Sequence, residues 1–266
     1  MKKTILALLT LSLLTTAFVG CGKTADSSKT TVNKESETPP PTEKQVWLLH
    51  TEYSVSENAT RTYYYDEFGN NIQMDLTTEL PPSTSTWLYE YDEHNNLLKR
   101  SVVSNGKDPF VQLVLTYDED GKLMTRQEIS TNSDRTYLYR YDDQNRITAL
   151  TTEKGEIVDK YIYSTDGTYK IQHGNDPYDY ARYNADGQML ELRLGKEIKI
   201  VYVYNKDGNL TEAVTYNEYE DYETPEKTVY QLDEHGNAVK LIKVSSSGNE
   251  TVIAEREYKL HTVKIR

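Results

Sequence analysis

One short phrase recurs along the chain, and it limits the possible folds more than any other feature. Eight four-residue segments, at 66–69, 92–95, 118–121, 142–145, 164–167, 184–187, 205–208 and 233–236, begin with Asp, Asn or Ser and end with Gly or Asn. This is the requirement of a type I turn followed by a bulge residue at positive φ. The first side chain caps the turn's amides, and only Gly or Asn enters the left-handed region cheaply. Each copy is therefore a strand, a tight turn and a strand. The copies recur every 20 to 28 residues, so the turn is constant while the connection on the far side varies.

The turn also dictates which side chains share a face. Pairing Asp118 with Lys122 puts Tyr117 opposite Leu123. The same rule puts Tyr91 opposite Leu97, Tyr141 opposite Ile147, Tyr204 opposite Leu210 and Leu232 opposite Ala238. Two residues earlier, Tyr89, Leu115, Tyr139, Tyr161, Tyr202 and Tyr230 join that face. The residues between them, from Glu90 and Thr116 to Arg140 and Gln231, make the opposite face mostly polar. The first copy departs from the rule, because Asn70-Asn71 carries one residue too many before Ile72. The chain has 23 Tyr and only 3 Phe. A dry core would take Phe as readily, so the rings are expected to keep their hydroxyls near water. They serve either as cross-strand packing on a half-wet sheet or as a platform for sugar rings or peptide.

Connections such as "SNGKDP" at 104–109 and "TEKGEI" at 152–157 are also turn-like. The fold class is all-β: an antiparallel meander of repeated β-hairpins, about 16–18 strands with almost no helix. An open twisted sheet of more than roughly ten strands curls, splits or closes. A curled or spiralling sheet is expected, and a small β-propeller is the alternative.

The phrase Tyr-x-Tyr-Asp-x-x-Gly resembles the YD repeat of the rearrangement-hotspot (RHS) and wall-associated protein family, over residues 61 to about 242. The resemblance implies a spiralling β-sheet, which in long members becomes a hollow shell. The Arg that often follows the family's Gly survives only as Arg146, after Asn145. The repeats are too few to enclose another polypeptide. "DPFV" and "DPYD" lack the glycine of the family's self-cleavage signature. Sheet architecture carries over, and toxin delivery does not.

Residues 1–20 read as a lipoprotein signal peptide, with basic Lys2 and Lys3 and an apolar run from Ile5 to Val19 that is short for a membrane span. Cys21 follows Gly20 and is the only cysteine. "FVGC" resembles a lipobox with Phe18 where Leu is usual, so lipidation at Cys21 is expected, with the membrane as partner through that anchor. The alternative is an ordinary signal cleaved near a cysteine. Residues 21–44 are rich in Ser, Thr, Lys, Glu and Pro and read as a lipid-anchored disordered tether. Its reach is on the order of 25 Å. Residues 45–266 form the hairpin-repeat domain. The expected location is exported and lipid-anchored, at the cell membrane or outer membrane, facing away from the cytoplasm.

A net charge of −12 argues against nucleic acid and against docking on anionic lipid. "DEDG" at 118–121 fails as a calcium loop: with Gly121 at the sixth position, Thr116 falls on the first and Gln127 on the twelfth. His50, His94, His173, His235 and His261 are scattered and match no metal motif. No metal, cofactor or catalytic residue is therefore assigned. The segment "TYNEYEDYETPEK" at 215–227 stretches the repeat rhythm, so Tyr216, Tyr219 and Tyr222 are the candidate ligand-binding residues. The expected function is a non-enzymatic, surface-anchored lipoprotein that binds glycan or protein. A spacer without a ligand and an unrecognised carbohydrate-active enzyme are the alternatives.

Overall fold

A computed structural model describes residues 42–217 and 225–265 of the chain. The described residues form eighteen strands. The sheet opens with β1 (Thr42–Ser54), β2 (Ala59–Tyr65), β3 (Asn71–Glu79), β4 (Pro82–Tyr91), β5 (Leu97–Ser104) and β6 (Phe110–Tyr117). It continues through β7 (Leu123–Ile129), β8 (Asp134–Tyr141), β9 (Ile147–Thr152), β10 (Ile157–Tyr163), β11 (Tyr169–His173) and β12 (Tyr180–Tyr183). It ends with β13 (Met189–Leu194), β14 (Ile198–Tyr204), β15 (Leu210–Asn217), β16 (Glu226–Leu232), β17 (Ala238–Val244) and β18 (Glu250–Ile265). Thr42, Glu43 and Lys44, assigned to the tether on sequence grounds, belong to β1.

Each strand pairs antiparallel with the next in the chain. β18 then pairs back on β1, from Thr42 opposite Ile265 to Ser54 opposite Ala254. The sheet is a closed barrel. This corrects both the open curled sheet and the propeller. Neither β1 nor β18 carries a Tyr-Asp phrase, so the phrase count could not reveal that they meet. The accumulated right-handed twist and a bulge at most of the Tyr-Asp turns coil the meander until its ends pair.

The turns follow the sequence rule. Tyr117 pairs with Leu123, Tyr91 with Leu97, Tyr141 with Ile147, Tyr204 with Leu210 and Leu232 with Ala238, each at a register shift. Gly121 sits at φ +78° and Asn95 at φ +66°. The Asp118 carboxylate accepts the amides of Asp120 and Lys122 at 3.0 and 2.8 Å. The first copy obeys the rule after all. Tyr65 pairs with Asn71, and Ile72 is exposed. Asn71 thus occupies a seat that is apolar in the other copies, and its buried Oδ1 has no hydrogen-bond partner.

Adjacent turns touch. Asn70 donates to the Asn95 side chain at 3.0 Å, Lys122 to the Asn145 side chain at 2.7 Å, and Gln188 to the Gly208 carbonyl at 2.8 Å. The residue after the turn glycine or asparagine reaches the next turn along one rim in these three copies, whereas Asn96 and Asn237 bond the aspartate of their own turn at 2.9 and 3.0 Å.

A closed sheet has an inside and an outside. The buried apolar residues Leu97, Leu113, Leu115, Leu150, Ala181, Leu192 and Ala213 share the face of the Tyr-Asp tyrosines, and Leu97 is only 6% exposed. Tyr64, Leu98, Met124, Ile162 and Val203 lie on the opposite face and are exposed. The aromatic face is therefore the inner one. No large side chain among the described residues falls below 2% exposure. The inward side chains make a lining rather than a jigsaw core, because eighteen strands enclose more space than side chains fill.

The expectation that tyrosine hydroxyls stay near water is refined. Those of Tyr65, Tyr91, Tyr117, Tyr141, Tyr163 and Tyr204 donate to the carbonyls of Leu49, Asn71, Leu97, Leu123, Ile147 and Met189 at 2.7–3.0 Å. Phe could line the wall but could not make these bonds. Across the seam, Glu52 of β1 lies between Arg61 of β2, at 3.3 Å, and Arg256 of β18, at 2.6 Å.

Candidate functional site

Of the residues proposed from sequence, Tyr216 is the penultimate residue of β15, opposite Lys199 of β14. Tyr219 and Tyr222 lie outside the described residues, as does Cys21. Among the described residues, no group of three or more His, Cys, Asp or Glu side chains is placed to hold a metal ion.

The outer face around Tyr216 carries the most distinctive chemistry. Cross-strand register sets Lys160 opposite Gln172, Gln172 opposite Tyr180, and Tyr180 opposite Arg193. It goes on to set Arg193 opposite Lys199 and Lys199 opposite Tyr216. These six residues form one outward row across β10 to β15. In the next row Lys170 faces Arg182, and Arg182 faces Glu191.

The loop after β11 adds a ring. The Asp176 carboxylate accepts the Tyr178 amide at 2.8 Å, and the Gly174 amide donates to the Val158 carbonyl at 2.7 Å. The loop holds Tyr178 on the surface, 40% exposed. Arg193 and Lys196 lie over its ring at 5.7 and 5.2 Å, and Lys170 lies over Tyr180 at 4.0 Å. Cations placed over tyrosine faces are held by the ring quadrupole.

Glu191 is the acid at the centre of this patch. It is only 9% exposed. Its carboxylate accepts the Tyr180 hydroxyl at 2.6 Å and meets Arg182 at 3.4 Å and Lys199 at 3.9 Å. Burial and then the bond to Glu191 push the Tyr180 hydroxyl above its ordinary pKa. The patch is thus a preorganised array of cations and phenols around one shared carboxylate. It can receive anions and amphipathic ring faces.

Sequence reasoning singled out Tyr216 but not its neighbours, because outward positions were read only one residue before the last residue of each strand leading into a turn. The alternation Tyr180-x-Arg182 and Glu191-x-Arg193-x-x-x-x-x-Lys199 was available. Its alignment depends on a register shift between Arg182 and Tyr183.

On the inner face, His173 Nδ1 lies 2.8 Å from Asp159 Oδ1. The hydrogen bond to Asp159 raises the histidine's pKa against the opposing effect of burial. Arg126 pairs with Glu128 and bonds Tyr139.

The RHS Repeat family matches residues 117–157. The chain carries repeats of the YD/RHS type. No curated protein matches it significantly in sequence. Among solved structures, the TcdB2-TccC3-Cdc42 crystal structure is similar over 73% of this chain and 10% of that chain, at 13% identity and a TM-score of 0.32. TcdB2-TccC3-TEV is similar over 75% and 12%, at 14% identity and a TM-score of 0.27. A porin-like protein from Bacteroides uniformis is similar over 84% and 97%, at 14% identity and a TM-score of 0.40. This chain spans about a tenth of the first two.

Proposed function

We propose that the protein is an exported, lipid-anchored, non-enzymatic binding module whose barrel presents a ligand face for glycan or protein. The observation that carries this reading is the outward array of cations and tyrosines on β10 to β15. Six inner tyrosines commit their hydroxyls to main-chain carbonyls, so the inner wall has a structural account. The outward face also holds Lys160 at the middle of β10, and Glu90, Lys99, Arg140, Lys170, Arg182 and Arg193 nearer the strand ends. A barrel crossing lipid would present an apolar band there, and Arg or Lys near the midplane would cost roughly 2–4 kcal/mol each. The barrel is therefore read as standing in water, held to the membrane through Cys21.

The N-terminal signal and the single Cys21 support the anchor. The chain enters the barrel at Thr42, on the rim that carries the eight turns. Two experiments test the reading. Replacing Cys21 with Ser should move the protein from the membrane to the soluble fraction and end incorporation of labelled fatty acid. A glycan array together with a cell-surface protein pulldown should yield a ligand, and silence in both would remove the binding claim.

A further inference from the structure

The inner wall carries cations as well as rings. Arg61 and Arg256 meet Glu52 at 3.3 and 2.6 Å, Lys243 meets Glu226 at 2.8 Å, and Arg126 pairs with Glu128. Arg100 of β5 departs from this habit. It faces inward, directly opposite Tyr89 of β4 on one side and Leu113 of β6 on the other. Its guanidinium pairs with no carboxylate of the described residues, and its buried Nε has no hydrogen-bond partner. Glu128, the inward acid opposite Leu113, is taken by Arg126. Residues 1–41 precede β1 and residues 218–224 join β15 to β16, so neither segment is continuous with β4, β5 or β6. A buried donor without an acceptor destabilises a fold. Folds keep such a defect where it serves a site.

Around Arg100 the wall is apolar and aromatic. Leu97, Leu113 and Leu115 form a buried cluster, and Tyr89, Tyr91 and Tyr117 pack against it. Trp87 lies two residues before Tyr89 on the same face, opposite Val102. The terminal nitrogens of Arg100, neither buried nor bonded, reach the enclosed space. One charged fork thus stands at the edge of a patch of rings.

We propose that Arg100 anchors a site inside the barrel for an amphipathic carboxylate, a molecule with one carboxylate on an apolar, ring-bearing body. The guanidinium takes the carboxylate through two parallel hydrogen bonds. The body lies along Trp87, Tyr89 and Tyr91, whose faces accept another ring in offset or edge contact. A single guanidinium balances a single negative charge, which a carboxylate carries and a phosphate monoester exceeds. A neutral sugar lacks the charge, and a bare inorganic anion lacks the body. The site is separate from the outward array on β10 to β15 and does not depend on it.

The chain has two tryptophans, Trp47 and Trp87, so Trp47→Phe leaves Trp87 as a reporter near Arg100. The full chain with that change, held in phosphatidylcholine vesicles, is titrated with phenylbutyrate, with phenylbutanol and with acetate, against protein-free vesicles as the blank. Phenylbutyrate should change the Trp87 emission saturably. The other two should bind at least tenfold more weakly, because one lacks the charge and the other the ring. Adding Arg100→Gln should lose at least tenfold in phenylbutyrate affinity and leave that for phenylbutanol unchanged, a split that a merely structural role would not produce. Its melting temperature should stay level or rise, because no ion pair has gone, so lost binding is not read as lost folding. Lys243→Gln, on the inner face of β17, should change the affinity less than twofold. Equal affinity for the acid and the alcohol overturns the proposal. So does unchanged phenylbutyrate affinity in Arg100→Gln, or the lack of any saturable change at Trp87.

Discussion

The Tyr117 hydroxyl donates to the main-chain carbonyl of Leu97 across 3.0 Å, and Leu97 is itself the partner of Tyr91, the tyrosine of the preceding turn. Five of the phrases are thereby tied, through Tyr91, Tyr117, Tyr141, Tyr163 and Tyr204, to the start of the strand that leaves the phrase before. Tyr117→Phe keeps the ring and removes the donor, so it should destabilise the barrel by about 1 kcal/mol. Tyr64→Phe, on the exposed outer face, should stay within about 0.5 kcal/mol of the parent. Urea unfolding of both variants decides the point, and equal stability would remove the latch.

Two turn glycines separate conformational strain from crowding. A methyl group on Gly121 would meet nothing within 4 Å, whereas on Gly236 it would lie 2.5 Å from the Asn209 amide nitrogen. Both residues have positive φ. Gly121→Ala should cost about 1 kcal/mol, and Gly236→Ala more, with Asn209→Ala recovering the excess. The turn rule alone makes Asn95→Gly neutral. The bond from Asn70 to the Asn95 side chain adds a loss of about 0.5 kcal/mol. Thermal melts of the four variants check the order.

The tyrosine lining sets an alkaline limit. Burial pushes Tyr63, Tyr91, Tyr117, Tyr183 and Tyr202 up to about 12. A pKa raised on folding stabilises the fold below the unfolded value, near 10, and that contribution drains away as pH climbs towards 12. Phenolate absorbance should therefore rise late and together with unfolding. A gradual rise centred near pH 10 in a still-folded protein would contradict this.

The His173–Asp159 pair has the opposite practical range. The hydrogen bond to Asp159 raises the histidine's pKa, so the pair stabilises most below the ordinary histidine value and fades as pH rises through the raised one. The melting-temperature gap between the parent and His173→Gln should be wider at pH 5.5 than at pH 8.5. A gap of the same size at both values rejects the pairing.

The seam depends on a carboxylate. Glu52→Gln should cost about 1.5–3 kcal/mol, because Arg256 loses its charged partner and Arg61 keeps only Glu57. Hydrogen exchange should show the loss first in β1 and β18. Uniform loosening around the barrel would argue that the seam is no weaker than the other ladders.

The local geometry was legible in the sequence because it is chemically local. A residue such as Gly121, four positions from Tyr117, specifies turn, bulge and face together, and the Tyr117–Leu123 pairing follows by counting. Closure was not legible, because it is a sum of small twists completed by β1 and β18, which lack the phrase. Asn71 misled by type, since an amide sits where the count demands an apolar residue. The candidate site was half legible. Tyr216 stood out in a stretched segment, but Arg193 and Lys199 gain meaning only when neighbouring strands bring two cations face to face.

All ladders but one join neighbours in the chain; the exception unites Thr42 with Ile265. The barrel is therefore a zip with a single clasp, and its seventeen local ladders can form in any order as the chain emerges. The clasp has to wait for both ends. Until then the meander carries two bare edges, each able to recruit a stranger's strand. A cell making this chain has a reason to shield it until the last strand arrives. The finished ring has no beginning: tying 265 to 42 and cutting at another turn should give the same wall with its clasp moved elsewhere.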